Sequence, residues 1–150
     1  MKKLLLILIS TCCFILSSCA GLADYTISLN NGYRIDRLSV HQIIVAGEEP
    51  VKSDNDRIIN YIYVEAKVTD IWWNDEYIIA KQLHLNVNEN GYEEPPKKPT
   101  GADYSYWIID IHHHEVKGPI LPKHLDDETN HIKEKIKFTP VEKLRKEAEK

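Results

Sequence analysis

From Leu4 to Leu16 the chain is apolar at nearly every position, LLLILISTCCFIL, and from Tyr25 onward apolar and polar residues alternate. The two regimes predict different structures. This mostly apolar run of thirteen residues after Met1-Lys2-Lys3 would span about 20 Å as a helix rising about 1.5 Å per residue, too little for a hydrocarbon core of about 30 Å. A charged start and a short apolar run fit a cleavable secretory signal instead.

Alternation begins with YTISL, where Tyr25, Ile27 and Leu29 share one side of a strand, and resumes in YRIDR. Asn31-Gly32 between the two runs predicts a hairpin, Tyr25 to Arg37, because both residues accept positive φ. Val40 to Ala46, VHQIIVA, reads as a third strand, and GEEPVKSDNDR from Gly47 as polar loop. Ile58 to Thr69, IINYIYVEAKVT, sets Ile62, Val64, Ala66 and Val68 against Tyr61, Tyr63, Glu65 and Lys67, the pattern of one strand with one buried face. Asn74-Asp75-Glu76 is a polar turn from which a strand returns over Tyr77 to about Leu85. Asn86 to Asp103 carries three prolines and two glycines, so it cannot be a central strand, and a connection of that length is either mobile or functional.

YSYWIIDI, Tyr104 to Ile111, resumes the strand pattern, and HHHEVKGPI turns and ends it at Gly118-Pro119. Beyond this point the period becomes helical. Leu121, Leu125, Glu128, Ile132 and Ile136 recur every three or four residues and predict an amphipathic helix with Pro122 in its first turn. Thr139-Pro140-Val141-Glu142 reads as a capping box that opens a short terminal helix, Pro140 to about Glu149. The sum is an α+β fold, mainly an antiparallel β-sheet of about six strands with one or two carboxy-terminal helices.

Cysteine usage sharpens the picture. All three cysteines, Cys12, Cys13 and Cys19, precede residue 20. Leu16-Ser17-Ser18-Cys19 resembles the lipobox of bacterial lipoproteins, in which the last cysteine receives a diacylglyceryl group, the signal is cut just before it, and the new amino terminus is acylated. Small Ser17 and Ser18 admit a peptidase to the backbone, and the thiol of Cys19 is the nucleophile that takes the lipid. The resemblance implies a signal peptide over 1–18, a lipidated tether over 19–24, and a single sheet-rich domain with a carboxy-terminal helical segment over 25–150. The only covalent groups expected are the diacylglycerol and N-acyl lipid on Cys19, with no other cofactor. The mature chain would have no second thiol, so its 132 residues must be held by core packing without a disulfide.

Removing Lys2 and Lys3 with the signal takes the formal charge from −4 to −6. A net acidic chain outside the cytoplasm gives no electrostatic basis for nucleic acid binding. The expected partner is the membrane itself, bacterial plasma or outer, reached through the lipid, with Ala20-Gly21 after the cysteine favouring the outer one where two membranes exist.

CAGLADYTISLNNGYRIDR, TDIWWNDEYIIAKQ and YWIID followed by GPI resemble a family of small bacterial lipoproteins of unknown function, over about Cys19 to Leu121. The resemblance implies one sheet-rich domain, a lipid anchor and no assigned activity. His112-His113-His114 departs from that family's pattern, in which a polar turn is usual.

Three chemistries remain to weigh. On a continuing strand Asp110, His112 and His114 would share a face, a carboxylate and two imidazoles suited to Zn²⁺, Cu²⁺ or Ni²⁺, although a ligand from His84, His124 or His131 would be needed to close the sphere. The alternative for these residues is a solvated hairpin turn. Trp72, Trp73, Tyr104, Tyr106 and Trp107 offer large contact area with polar handles, so outward-facing members could bind a glycan or another envelope protein. Trp72 and Trp73, being adjacent on a strand, point to opposite faces, and both are buried only if the sheet is covered on both sides. Finally, no nucleophile elbow, phosphate loop or His-Glu-x-x-His helix is present, and the acidic pairs Asp75-Glu76 and Glu93-Glu94 sit in turns. The expectation is a non-catalytic, membrane-anchored binding module, with a metal-binding lipoprotein and a hydrolase with an unrecognised site as the alternatives.

Overall fold

Alternating segments draw this chain into two antiparallel sheets rather than one. The computed structural model describes residues 24–51 and 60–148. The signal, Cys19 and the 52–57 part of the expected polar loop lie outside the described residues. Strands β1 (Tyr25–Ser28), β2 (Arg34–Arg37), β3 (Ile43–Val51) and β4 (Asn60–Val64) form the first sheet in that order. Then come β5 (Val68–Trp73), β6 (Tyr77–Leu83), a small ribbon of β7 (Asn86–Val87) and β8 (Glu93–Glu94), β9 (Tyr104–Asp110), β10 (Glu115–Ile120) and β11 (Thr139–Pro140). The second sheet has the order β10-β9-β6-β5-β11. The class is α+β and mainly antiparallel, with shorter and more numerous strands than the pattern alone suggests.

The Tyr25 to Arg37 hairpin forms as expected, with Asn31 and Gly32 at φ of 55° and 78°. β3 starts later than expected, at Ile43, and runs on through Glu48, Glu49 and Pro50, which pattern alone assigns to a loop. Tyr63 explains the extension: its ring covers Gly47, where a Cβ would stand 2.8 Å away, and its hydroxyl donates to the Glu49 carbonyl at 3.2 Å. Tyr33 packs edge-on against the same ring, with centroids 4.9 Å apart.

Of the expected single strand Ile58 to Thr69, residues 58 and 59 lie outside the described residues, and the remainder falls into two strands in different sheets. Between β4 and β5 the chain leaves one ladder and joins the other, freeing the carbonyls of Glu65 and Ala66. Gln82 takes both, its Nε2 donating at 3.0 and 2.9 Å. Its Oε1 accepts from Trp107 Nε1 at 2.7 Å and Ser105 Oγ at 3.2 Å, so this amide uses its two protons and both acceptor positions.

The second sheet is covered on both faces, and strand alternation sorts its side chains between two cores. Ile71, Ile78 and Ile109 face the first sheet and pack with Ile35, Val45 and Val64. Trp72, Ile79, Ile108 and Ile120 face the other way. Trp72 and Trp73 obey the rule, Trp72 lying at 8% exposure in the second core and Trp73 packing half-buried against the first.

The cover over the second core is not the predicted helix. After a 3₁₀ turn (Pro122–His124) only Leu125–Glu128 is helical. The Thr129 amide and hydroxyl both bond the Leu125 carbonyl, at 2.9 and 2.8 Å, and Thr129-Asn130 are poor helix formers. Beyond them an irregular segment presents Ile132, Ile136 and Phe138 to the sheet, and Phe138, whose ring packs tilted against Tyr106 with centroids 5.5 Å apart, is off the helical stripe. The stripe therefore supplies half-buried contacts through Leu125, Ile132 and Ile136, with Leu121 exposed, and only its Leu125–Glu128 part is helical. HHHEVKGPI likewise contains a strand, β10, rather than ending one. Thr139 and Pro140 pair with Ile71 and Asp70 at the sheet edge, where a proline is tolerated, and the terminal helix follows over Val141–Ala148.

Replacing Gln82 with alanine strands two carbonyls and the Trp107 indole proton in a half-buried setting. The expected loss is about 3 kcal/mol, from roughly 1–3 kcal/mol per unpaired buried group, read as a lower urea midpoint with an unchanged m-value.

Candidate functional site

The register of the strands gives the molecule two distinct ends. Tyr25, Arg37 and Ile43 are paired in one row at the end where the described chain begins. At the opposite end three turns meet. Asn30 Nδ2 donates to Asp75 Oδ1 at 2.8 Å, joining the β1–β2 and β5–β6 turns. The Tyr33 hydroxyl and His114 Nδ1 are hydrogen-bonded at 3.1 Å, joining the first sheet to the β9–β10 turn, and the Ile111 amide donates to the Glu76 carbonyl at 2.9 Å.

This polar end holds an open cleft of about 500 Å³ between Asn74–Glu76 and His131–Glu134. Asn74 organises it. Its Oδ1 accepts from the amides of Glu76 and Tyr77 at 2.9 and 2.8 Å, which shapes the turn, while its Nδ2 donates to Glu134 Oε1 at 2.8 Å and fixes the far wall. His131 packs edge-on against Tyr77 at 5.2 Å. Carboxylates, an ammonium and an imidazole on one rim can hydrogen-bond a polar ligand. Sequence reading takes Asn74-Asp75-Glu76 only as a turn and misses this wall, because nothing local announces that residues 131–134 fold back onto a turn so far away in the chain.

Asp110, His112 and His114 are not assembled as a metal site. The strand ends at Asp110, and the turn over 111–114 removes the shared face that an extended chain would have given. Asp110 Oδ1 accepts from the amides of His112 and His113, both at 3.0 Å, and Oδ2 meets His113 Nδ1 at 2.9 Å. His114, at φ 55°, turns inward to Tyr33, while His112 is exposed. Among the described residues no group of three or more histidine, cysteine or acidic side chains is placed to hold a metal. Burial pushes the Asp110 carboxyl up, but the His113 side chain and the two amides outweigh it and hold the pKa below the usual carboxylate range. The Asp110 carboxylate raises that of His113 in turn. For Tyr33, burial followed by its contact with Tyr63 pushes the phenol well above its ordinary range, so it stays protonated.

The five aromatics do not form one exposed face either. Trp72 and Tyr106 belong to the second core, Trp73 and Trp107 pack on the first, and the Tyr104 ring lies under the Lys81 ammonium, 4.2 Å from its centroid. They are divided because the strands carrying them are central and both sheet faces are occupied.

One triad-like grouping appears that the sequence did not suggest. Ser105 Oγ is 2.9 Å from His84 Nε2, and His84 contributes least among the influences that hold the Asp103 carboxyl below its ordinary range, the Thr100 amide contributing most. Ser105, however, is 0% exposed. Its hydroxyl also lies 3.2 Å from Gln82 Oε1, which ties it to the amide at the switch between the sheets. Asp103 is occupied as well, accepting from the Thr100 amide and hydroxyl at 2.7 and 2.9 Å.

A family model described as Protein of unknown function (DUF3997) matches residues 30–142. No curated protein and no solved structure matches the chain.

The Asp110–His113 pair gives a pH signature. His113, raised from 6.5, contributes stability below that pH and loses it as pH rises through its folded pKa. Asp110, lowered from 3.8, contributes above that pH and loses it as pH falls through its folded value. The pair's contribution is therefore greatest between those two ordinary values. An NMR titration should show His113 titrating above 6.5, and Asp110→Asn should return it toward that value.

Proposed function

The chain belongs to the DUF3997 family of proteins of unknown function, and from that premise we propose that it is a lipid-anchored cell-envelope protein serving as a non-catalytic binding module. The observation that carries this reading is the order Lys2-Lys3, a mostly apolar run from Leu4 to Ile15, Leu16-Ser17-Ser18-Cys19, and no cysteine thereafter. A chain that spends its only retained thiol at the edge of a signal has a chemical use for it there. Two or more acyl chains, at about 0.8 kcal/mol per buried methylene, hold a protein on a bilayer where one alone binds marginally. The membrane is the bacterial plasma or outer membrane, with the domain on its extracytoplasmic side.

The polar end opposite the tether is the part such an anchor holds furthest from the bilayer. Its cleft between Asn74–Glu76 and His131–Glu134 is open and rich in both donors and acceptors, which suits a glycan or a polar peptide segment of another envelope protein. Sealed Ser105 and the engaged Asp103 and Asp110 support a binding role over hydrolysis or metal chemistry.

Cys19→Ser tests the anchor. The parent protein should sediment with membranes and give a mature mass beginning at a lipid-modified Cys19, whereas the variant should keep its signal or appear in the soluble fraction. A variant trimmed at the same position and equally membrane-bound overturns the reading. The non-catalytic part is tested with the purified mature protein on ester, peptide and glycoside substrates. Turnover is expected to be absent, and turnover that disappears in Ser105→Ala would establish the hydrolase alternative.

A further inference from the structure

Among the described residues six large apolar side chains are exposed, and four of them gather in two adjoining segments. Leu38 (60%) and Val40 (59%) lie in the β2–β3 loop, and Val87 (69%) and Tyr92 (70%) lie on the β7–β8 ribbon. Gln42 Nε2 donates to Glu93 Oε2 at 3.1 Å and ties loop to ribbon. Gln42 also accepts the Leu38 amide at 2.8 Å, and Glu93 is the cross-strand partner of Val87. Both segments are built to hold their shape. Asn88 Oδ1 accepts from the amides of Asn90 and Tyr92, each at 2.9 Å, and closes the ribbon, while Ser39 Oγ accepts the Gln42 amide at 3.1 Å in the loop.

Their position in the fold says what faces them. Tyr25, Arg37 and Ile43 are in register, so β1 begins two strand spacings, about 10 Å, from the residue after Gln42. Between Cys19 and Asp24 there are five residue steps, which reach at most about 18 Å when fully extended. If Cys19 carries lipid, as proposed above, the loop and ribbon are at the end of the domain that this short chain holds at the bilayer.

We propose that Leu38, Val40, Val87 and Tyr92 form a lipid-contacting foot that inserts into the interfacial region of the membrane to which Cys19 is anchored, and so orients the domain with its polar cleft outward. The inference rests on the anchor reading. Charge around the foot is mixed, with Glu89, Glu93 and Glu94 beside Lys97 and Lys98 in the same excursion and Arg145 near Tyr25. Insertion therefore draws on apolar contact and a tyrosine at the headgroup level rather than on anionic lipid, and neutral phosphatidylcholine suffices.

The test uses the full lipidated protein reconstituted in phosphatidylcholine vesicles. Single cysteines replace Leu38, Val87 or Tyr92, or, as controls at the opposite end, Asp75 or His112, and each carries an environment-sensitive fluorophore; Cys19 is blocked by its lipid. Labels at 38, 87 and 92 should shift to the blue and lose intensity when doxyl lipids are included, while labels at 75 and 112 do neither. A label at Asn90→Cys should be quenched in the parent and lose that quenching when Leu38, Val40, Val87 and Tyr92 are all changed to serine, exposed positions whose replacement leaves the core intact. Protein that floats with vesicles but shows no quenching at the foot overturns the foot and leaves the anchor standing. Protein that does not float at all overturns the anchor. Blue shifts that follow protein density and ignore doxyl lipid assign the patch to a second copy of the chain and overturn the proposal.

Discussion

Coverage of the five-stranded sheet on both faces is the constraint from which the other features follow. A sheet buried on one side can spend every second residue on solvent, whereas β5, β6 and β9 have to place something acceptable on each side. Ile71, Trp72 and Trp73, then Ile78, Ile79 and Ala80, then Ile108 and Ile109 do so with apolar side chains distributed between the two cores. The price is that the aromatics best suited to recognition are consumed by structure. Trp72 packs beneath the 121–138 segment and Trp107 is tied down by its indole proton.

Several polar groups that remain inside are held by hydrogen bonds across the sheets. Gln82 is the clearest instance: it replaces the ladder partners that Glu65 and Ala66 lose at the switch between sheets, and it also receives Ser105 and Trp107. The Ser105 hydroxyl is thereby held between Gln82 and His84.

The two ends of the sandwich divide the surface by chemistry. One end joins three turns through Asn30, Asp75, Tyr33 and His114 and opens a polar cleft. The other gathers four exposed apolar side chains, Leu38, Val40, Val87 and Tyr92, on a loop and a ribbon of mixed charge next to the start of β1. A domain with polar and apolar poles has a preferred orientation at any interface, and a short lipid-bearing tether at the apolar pole would set the same orientation.

The hairpin at Asn31-Gly32, the turn at Asn74–Glu76 and the strands through Trp72, Ile79 and Ile108 were legible in the sequence because each follows from backbone preference or a period of two within a few residues. The Leu16-Ser17-Ser18-Cys19 string on which the proposed anchor rests is likewise contiguous and is read from the sequence alone. Three matters were decided only by tertiary structure. Ile58 to Thr69 looks like one strand, and only Gln82, arriving from the next hairpin, makes it two. Leu121 to Ile136 has helical spacing, yet the segment serves a flat sheet surface, and burial rewards contact with Trp72 and Ile108 whether or not the backbone is helical. Asp110, His112 and His114 have metal-ligand chemistry and the right spacing for an extended chain, but β9 must turn to pair with β10, and that turn gives the carboxylate to the backbone amides and His113. Local sequence determines what a segment can do alone; which of those options is taken depends on partners that only the folded chain brings near.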